Sequence, residues 1–226
     1  MLEGVKVLSF THYLQGPSAA QILADLGAEV VKVESPKGAY ERSWSGCNTY
    51  PGGVSMFFLL GNRNQTSIAV DLKSKEGVEI IHKLLREYDV VIENFRAGVM
   101  EKAGTGIRGP KEDQPGHYLL FLFRLRIFRS LCEEAGAGPA DPEHERPCIP
   151  DRLRSRGPVT SGNTSGGPAW GSAGSPWVVA SVYDRARTGK GHKVEASLLG
   201  SALDLQQEAL GYYLNGGQFT ERPPPG

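Results

Sequence analysis

The sequence predicts an α/β fold with a parallel sheet, interrupted by an irregular segment. Short apolar runs alternate with stretches of helical periodicity as far as about Gly104, and the order strand, helix, strand occurs twice in succession. Beyond that point lies a tract dense in proline and glycine, and this carries the interruption.

The elements follow in chain order. Residues 5–10 are a short apolar run. Residues 17–26 place Ala20, Ile22, Leu23 and Leu26 at helical spacing, and Gly27 suits the helix C-terminus ahead of a strand over 29–33. In the second unit, 67–72 is strand-like and Ser74 can cap a helix carrying Val78, Ile81, Leu84 and Leu85. Residues 89–93 then have the apolar core Val90, Val91, Ile92 of a buried strand. Right-handed crossovers make the resulting sheet parallel and Rossmann-like.

Over 107–176 this order disappears. Nine of the fifteen prolines fall there, with phrases such as Gly136-Ala137-Gly138-Pro139 and Thr164-Ser165-Gly166-Gly167-Pro168 that interrupt helices and central strands. A structureless insert of that length is unusual inside a compact domain. From Trp177 regularity returns. Residues 178–183 are apolar, Arg187-Thr188-Gly189-Lys190-Gly191 turns, 192–197 alternates, and 198–214 has helical periodicity ahead of a proline-rich tail. The chain therefore divides into 1–106, a ligand-binding α/β part; 107–176, the irregular tract; and 177–226, a strand and helix fragment.

Composition narrows the function. With 25 Lys plus Arg against 25 Asp plus Glu, no net field steers the chain to nucleic acid or to an anionic membrane. The lack of a leader or a long apolar run predicts a cytoplasmic protein. Cys47, Cys132 and Cys148 show no paired metal spacing. His12, His82, His117, His144 and His192 have none either, and read as surface or packing residues; no metal site is expected. The run Phe121-Leu122-Phe123-Arg124-Leu125-Arg126-Ile127-Phe128-Arg129 interleaves aromatics and cations as a single-strand binding surface does, but a simpler origin for it follows below.

Several phrases, taken in order, resemble one family. They are Leu2-Glu3-Gly4-Val5-Lys6-Val7-Leu8; Gly16-Pro17; Leu23-Ala24-Asp25-Leu26-Gly27-Ala28-Glu29-Val30-Val31-Lys32-Val33-Glu34; Asn62-Arg63-Asn64 with Ser67-Ile68-Ala69-Val70-Asp71-Leu72-Lys73; and Val91-Ile92-Glu93-Asn94-Phe95-Arg96 with Gly98. Near the other end stand Arg187-Thr188-Gly189-Lys190-Gly191 and Val194-Glu195-Ala196-Ser197-Leu198-Leu199. Each is weak alone, but the ordered set resembles the class III CoA-transferases, the CaiB/BaiF-like family of formyl-CoA transferase and carnitine CoA-transferase.

The resemblance implies transfer of CoA from an acyl-CoA to a carboxylic acid, with CoA as a substrate rather than a resident cofactor. It implies an aspartate that holds the acyl group as a mixed anhydride and then holds CoA as an enzyme thioester. It also implies CoA contacts at Tyr13, Leu14, Gln15, Asn94, Phe95, Val99 and Lys102, with Arg96 and Lys102 near the phosphates. Where relatives carry a base at the position of Gln65, Arg63 is either a substitute contact or, the preferred reading, an ordinary surface arginine. The intact family forms an interlocked homodimer, an arrangement not carried over to this chain, which is expected to stop before a full-length relative would. Acyl-CoA racemases of the same superfamily, and a non-catalytic pseudogene-like product, are the alternatives.

The middle lacks the family's SGFG-like turn, its GPY segment and its PG-x-D motif. Reading permitted codons one nucleotide later turns 107–126 into YEDLKKINPDIIYCSFSGFG, 129–150 into GPYAKKPGLDLLIQSMSGLASL and 163–167 into IPVVD. These family-like phrases predict an out-of-frame tract that opens near Gly106 and closes between about Gly171 and Trp177. The catalytic aspartate would then be read as Gly138, and no catalytic residue is expected in the chain as written. Asp141 and Glu143 lie close by in sequence without inheriting a positioned geometry.

Overall fold

The computed structural model describes residues 1–45, 48–96, 98–105, 119–123 and 166–217. Its strands are β1 Lys6–Phe10, β2 Glu29–Glu34, β3 Thr66–Ala69, β4 Val90–Glu93, β5 Leu119–Phe123 and β6 Lys193–Ala196. Its helices are α1 Gln15–Asp25, α2 Met56–Gly61, α3 Lys75–Leu84, α4 Val99–Lys102, α5 Gly166–Thr188, α6 Leu198–Leu205 and α7 Gln207–Leu214. The strands form one six-stranded sheet in the order β3-β2-β1-β4-β5-β6, and every neighbouring pair is parallel. This is the strand order of the doubly wound dinucleotide folds, so the expected Rossmann-like sheet is present.

The apolar runs explain the layering. In β1, β2 and β4 successive side chains enter opposite cores: Val7, Val30, Val90 and Ile92 pack with Ala19, Ala20 and Leu23 of α1 and Val178 of α5. Leu8, Val31, Val33 and Val91 pack on the other face with Ile81 of α3 and Met100 of α4. A strand alternates with period two, so near-continuous Val, Ile and Leu suits strands covered on both faces. Helix α1 starts at Gln15, which puts Pro17 in its first turn, where a missing N–H is tolerated. Ser74 caps α3 as expected, its Oγ accepting from the Gly77 amide at 3.0 Å.

The structure departs from the sequence reading at three places. The expected irregularity of 107–176 does not hold at β5, which lies between β4 and β6, nor over 166–176, which are the first turns of α5. The boundary expected at Trp177 therefore falls inside a helix. Backbone pairing accounts for β5, whose Leu119–Leu122 lie in parallel register with Val90–Glu93 of β4. At α5, Pro168 lies in the first turn and does not stop the helix, although Pro176 is internal. The remainder of the tract, with Gly138, Asp141 and Glu143, lies outside the described residues. Residues 178–183 belong to α5, and the helix expected over 198–214 is broken at Gln206 into α6 and α7.

Candidate functional site

The chain runs from β1 through α1 to β2 on one side of the sheet, whereas β4 adds to the other side of β1, so strand order reverses between β1 and β4. Open α/β sheets bind ligands in the crevice beyond the carboxyl ends at such a point. The register aligns Phe10 with Glu93, so the segments that follow leave the sheet side by side. The Asn94 side chain then joins them, with Oδ1 accepting from the His12 amide at 2.8 Å and Nδ2 donating to the His12 carbonyl at 2.8 Å. Glu93 is buried, and its Oε2 accepts from the Phe95 amide at 2.8 Å, which turns the second corner. The rings of His12 and Phe95 meet across the gap, with centroids 5.1 Å apart.

Gly16 makes this junction possible. A Cβ there would lie 2.6 Å from Cγ2 of Thr11 and 3.1 Å from Cγ of Asn94, inside ordinary contact distance. Tyr13 takes a left-handed backbone conformation with φ of 61°, unusual for a side chain of its size, and its ring lies 5.9 Å from that of Tyr40 and 6.3 Å from that of Phe57. The side chains of Leu14 and Gln15 are buried at the start of α1, leaving backbone amides of the first turn as the groups they can offer a ligand.

A buried charge network supports the β1 loop from behind. Lys32 of β2 is 1% exposed, and its Nζ donates to Glu41 Oε1 at 3.0 Å and to Asn62 Oδ1 at 2.7 Å. Glu41 lies in a 3₁₀ turn, Tyr40–Arg42, with no exposed surface. Its second oxygen is 3.5 Å from Nδ1 of His12. Burial pushes the Glu41 carboxyl up, but His12 and the Lys32 charge outweigh it and bring the pKa to about 2. Burial pulls Lys32 below its ordinary value against the attraction of Glu41. Next to this pair, Arg42 forks onto Glu34 with two 2.7 Å bonds, and its guanidinium sits 4.0 Å above the Phe58 ring. Glu34 is partly desolvated, yet that fork and the Ala39 amide hold its carboxyl below the usual range.

Of the residues singled out from sequence, Tyr13, Leu14, Gln15, Asn94 and Phe95 thus converge on one edge of the sheet. Val99 and Lys102 follow on α4, both exposed, behind the positive-φ turn at Gly98. Arg63 does not join them: it pairs with Asp25 at the end of α1, Nη2 to Oδ2 2.6 Å, and Asn64 bonds the same carboxylate at 2.7 Å. Gln65 turns back on the carbonyl of Gly61. Thr188-Gly189-Lys190 forms the expected turn, with Gly189 at a φ of 70°. Sequence reading missed His12, Lys32, Glu41 and Asn62 as a group. The one available signal was Lys32 inside an apolar strand, which calls for a partner that only the fold supplies.

Fold and site together define an α/β protein with a ligand crevice at its topological switch point. Residues 2–116 match the family model described as CoA-transferase family III, and the chain belongs to that family. It is similar to (R)-2-hydroxy-4-methylpentanoate CoA-transferase of Clostridioides difficile, 32% identical over 90% of this chain and 52% of the relative. It is likewise 32% identical to formyl-CoA:oxalate CoA-transferase of Streptomyces coelicolor, over 90% of this chain and 49% of that one. Among solved structures, a CAIB/BAIF family protein from Brucella suis superposes with a TM-score of 0.79 at 29% identity, covering 97% of this chain and 59% of its own. A hypothetical protein from Mycobacterium tuberculosis gives 0.75 at 29% identity, covering 95% and 59%. The chain spans about half the length of the curated relatives it matches. Among the described residues no helix is long and apolar enough to cross a membrane.

Proposed function

We propose that the β1–β4 crevice binds the CoA part of an acyl-CoA, in the service of CoA transfer to a carboxylic acid through an aspartyl intermediate. The observation that carries this reading is the Asn94 bridge. It fuses the Thr11–Gly16 turn and the Asn94-Phe95 corner into one edge, at the place where a parallel sheet takes ligands. Exposed Arg96 and Lys102 stand on the same side, where they can meet phosphates. The named relatives are transferases, which favours transfer over racemisation.

We further propose that the chain as written does not turn over. Thioester transfer needs a carboxylate held in line with the acyl carbon, and the family-like phrases recovered from the shifted frame put that aspartate where Gly138 now stands. The proposed setting is a cytoplasmic enzyme of acyl-CoA metabolism, with the two-chain assembly reserved for the intact protein.

The test pairs binding with turnover. CoA added to the labelled chain should shift the signals of Tyr13, Leu14, Gln15, Asn94, Phe95, Val99 and Lys102, and a uniform lack of response would remove the CoA reading. Only a frame-restored chain of the relatives' full length should exchange CoA and accumulate a hydroxylamine-sensitive enzyme-bound intermediate. Turnover by the chain as written, abolished by Asp141→Ala or Glu143→Ala, would restore those carboxylates as nucleophiles.

A further inference from the structure

His12 is held on every side yet left with an unused ring nitrogen. Asn94 pins its backbone by both amide and carbonyl, and Phe95 lies against its ring at 57°. Nδ1 of His12 and Oε2 of Glu41 are both shut off from solvent and, at 3.5 Å, sit at the outer edge of hydrogen-bonding distance, so neither has a hydrogen-bond partner among the described residues. They face each other. Lys32 and Asn62 hold Glu41 and Lys32 from behind, so the carboxylate cannot swing away to another donor. About 30% of the His12 side chain nevertheless remains open, on a ring whose Nδ1 is closed off.

We propose that His12 is a ligand-contacting residue of this crevice: Nδ1 keeps its proton, aimed at the Glu41 carboxylate, and Nε2 is left as an acceptor for a donor group on the pantetheine arm of CoA. The proposal rests on the CoA reading of the site. A neutral imidazole whose N–H on one nitrogen faces a carboxylate presents a lone pair on the other. A lone pair repels phosphate oxygens, which are acceptors too, and suits amide N–H or hydroxyl groups; the arm carries both. The phosphates belong instead with the cations Arg96 and Lys102 on the α4 side.

Two amide substitutions separate this role from simple packing. His12→Gln places polar atoms near the Nε2 position, whereas His12→Asn reaches only as far as Nδ1 and can still satisfy Glu41. CoA affinity should fall less than about threefold in His12→Gln and more than about tenfold in His12→Asn, a difference of at least about 0.7 kcal/mol. If Asn retains affinity and Gln loses it, His12 serves only to satisfy Glu41 and the proposal is wrong. A second measurement uses the unaltered chain. Long-range proton–nitrogen correlations should show His12 protonated at Nδ1, with Nε2 shifting on addition of CoA but not of 3′-phospho-ADP, which keeps the nucleotide and lacks the arm. An Nε2–H tautomer overturns the proposal, as does an equal response to 3′-phospho-ADP. If Asn94 and Phe95 respond to CoA while Nε2 stays still, the His12 assignment alone falls; if none responds, the CoA reading falls and takes this one with it.

Discussion

The middle of the sheet and its β6 edge differ in how completely they are covered. On the β2-β1-β4 side the strands are buried almost end to end, their side chains divided between two cores, and even Lys32 and Glu41 are enclosed. On the β6 side the strand is half-exposed and alternating, and the helices after it show apolar side chains to solvent: Leu205 is 61% exposed, Tyr213 68% and Leu214 76%. Near-continuous apolar strands require helices on both faces and receive them from α1, α3 and α5. An alternating strand such as β6 asks for one covered face. The candidate site lies at the carboxyl ends of β1 and β4, two of the buried strands.

The largest expected effect sits in the buried pair. Glu41→Ala leaves the Lys32 ammonium buried without its anion and should destabilise by about 3–5 kcal/mol in urea titration. Glu195→Ala, which removes the exposed partner of Lys193 on β6, should leave the midpoint unchanged. Equal effects at the two sites would dissolve the contrast between the two regions.

Acid should act on the same group reversibly. The Glu41 pKa is depressed from its ordinary 4.5 to about 2 in the folded chain, so its contribution is full above about pH 4.5 and is lost as pH falls toward 2. Stability measured across that window should drop in the unaltered chain and drop less steeply in Glu41→Ala.

Packing gives the next contrast. Leu8→Ala, at a position with no exposure, should cost about 2–5 kcal/mol, whereas Leu205→Ala should fall within about 0.5 kcal/mol of zero. A loss smaller than that at Leu8, about 1–3 kcal/mol, is expected of Gly16→Ala, because its new methyl group must push Thr11 and Asn94 apart. Its effect on CoA binding should exceed that of any surface substitution on α7, which calorimetric titration of both would establish.

Much of the β2-β1-β4 region was legible in the residues. Val90-Val91-Ile92, Ser74 and Gly27 each announced their element, since local pattern and tertiary demand agree there. Asn94 and Phe95 were legible from their place at the end of a parallel strand and from the family resemblance; that Asn94 closes on the backbone of His12, 82 residues away, was not. The strand β5 and the early start of α5 were missed for a related reason. Glycine and proline density argues against regular structure, but a short apolar run beside an unpaired strand edge, or a proline confined to a first helical turn, escapes that rule.

What the sequence by itself determined is the alternation of strands and helices over the first tract, the parallel sheet and the family phrases, all carried by neighbours in the chain. Only the tertiary structure decided that Lys32, Glu41, Asn62 and His12 form one group, that Arg63 belongs to Asp25 rather than to a ligand, and that β5 and β6 complete the sheet. The reason is physical: periodicity and capping act within a few residues, whereas a buried charge is stable only where separate segments bring it a partner, and no local pattern records which segments those are.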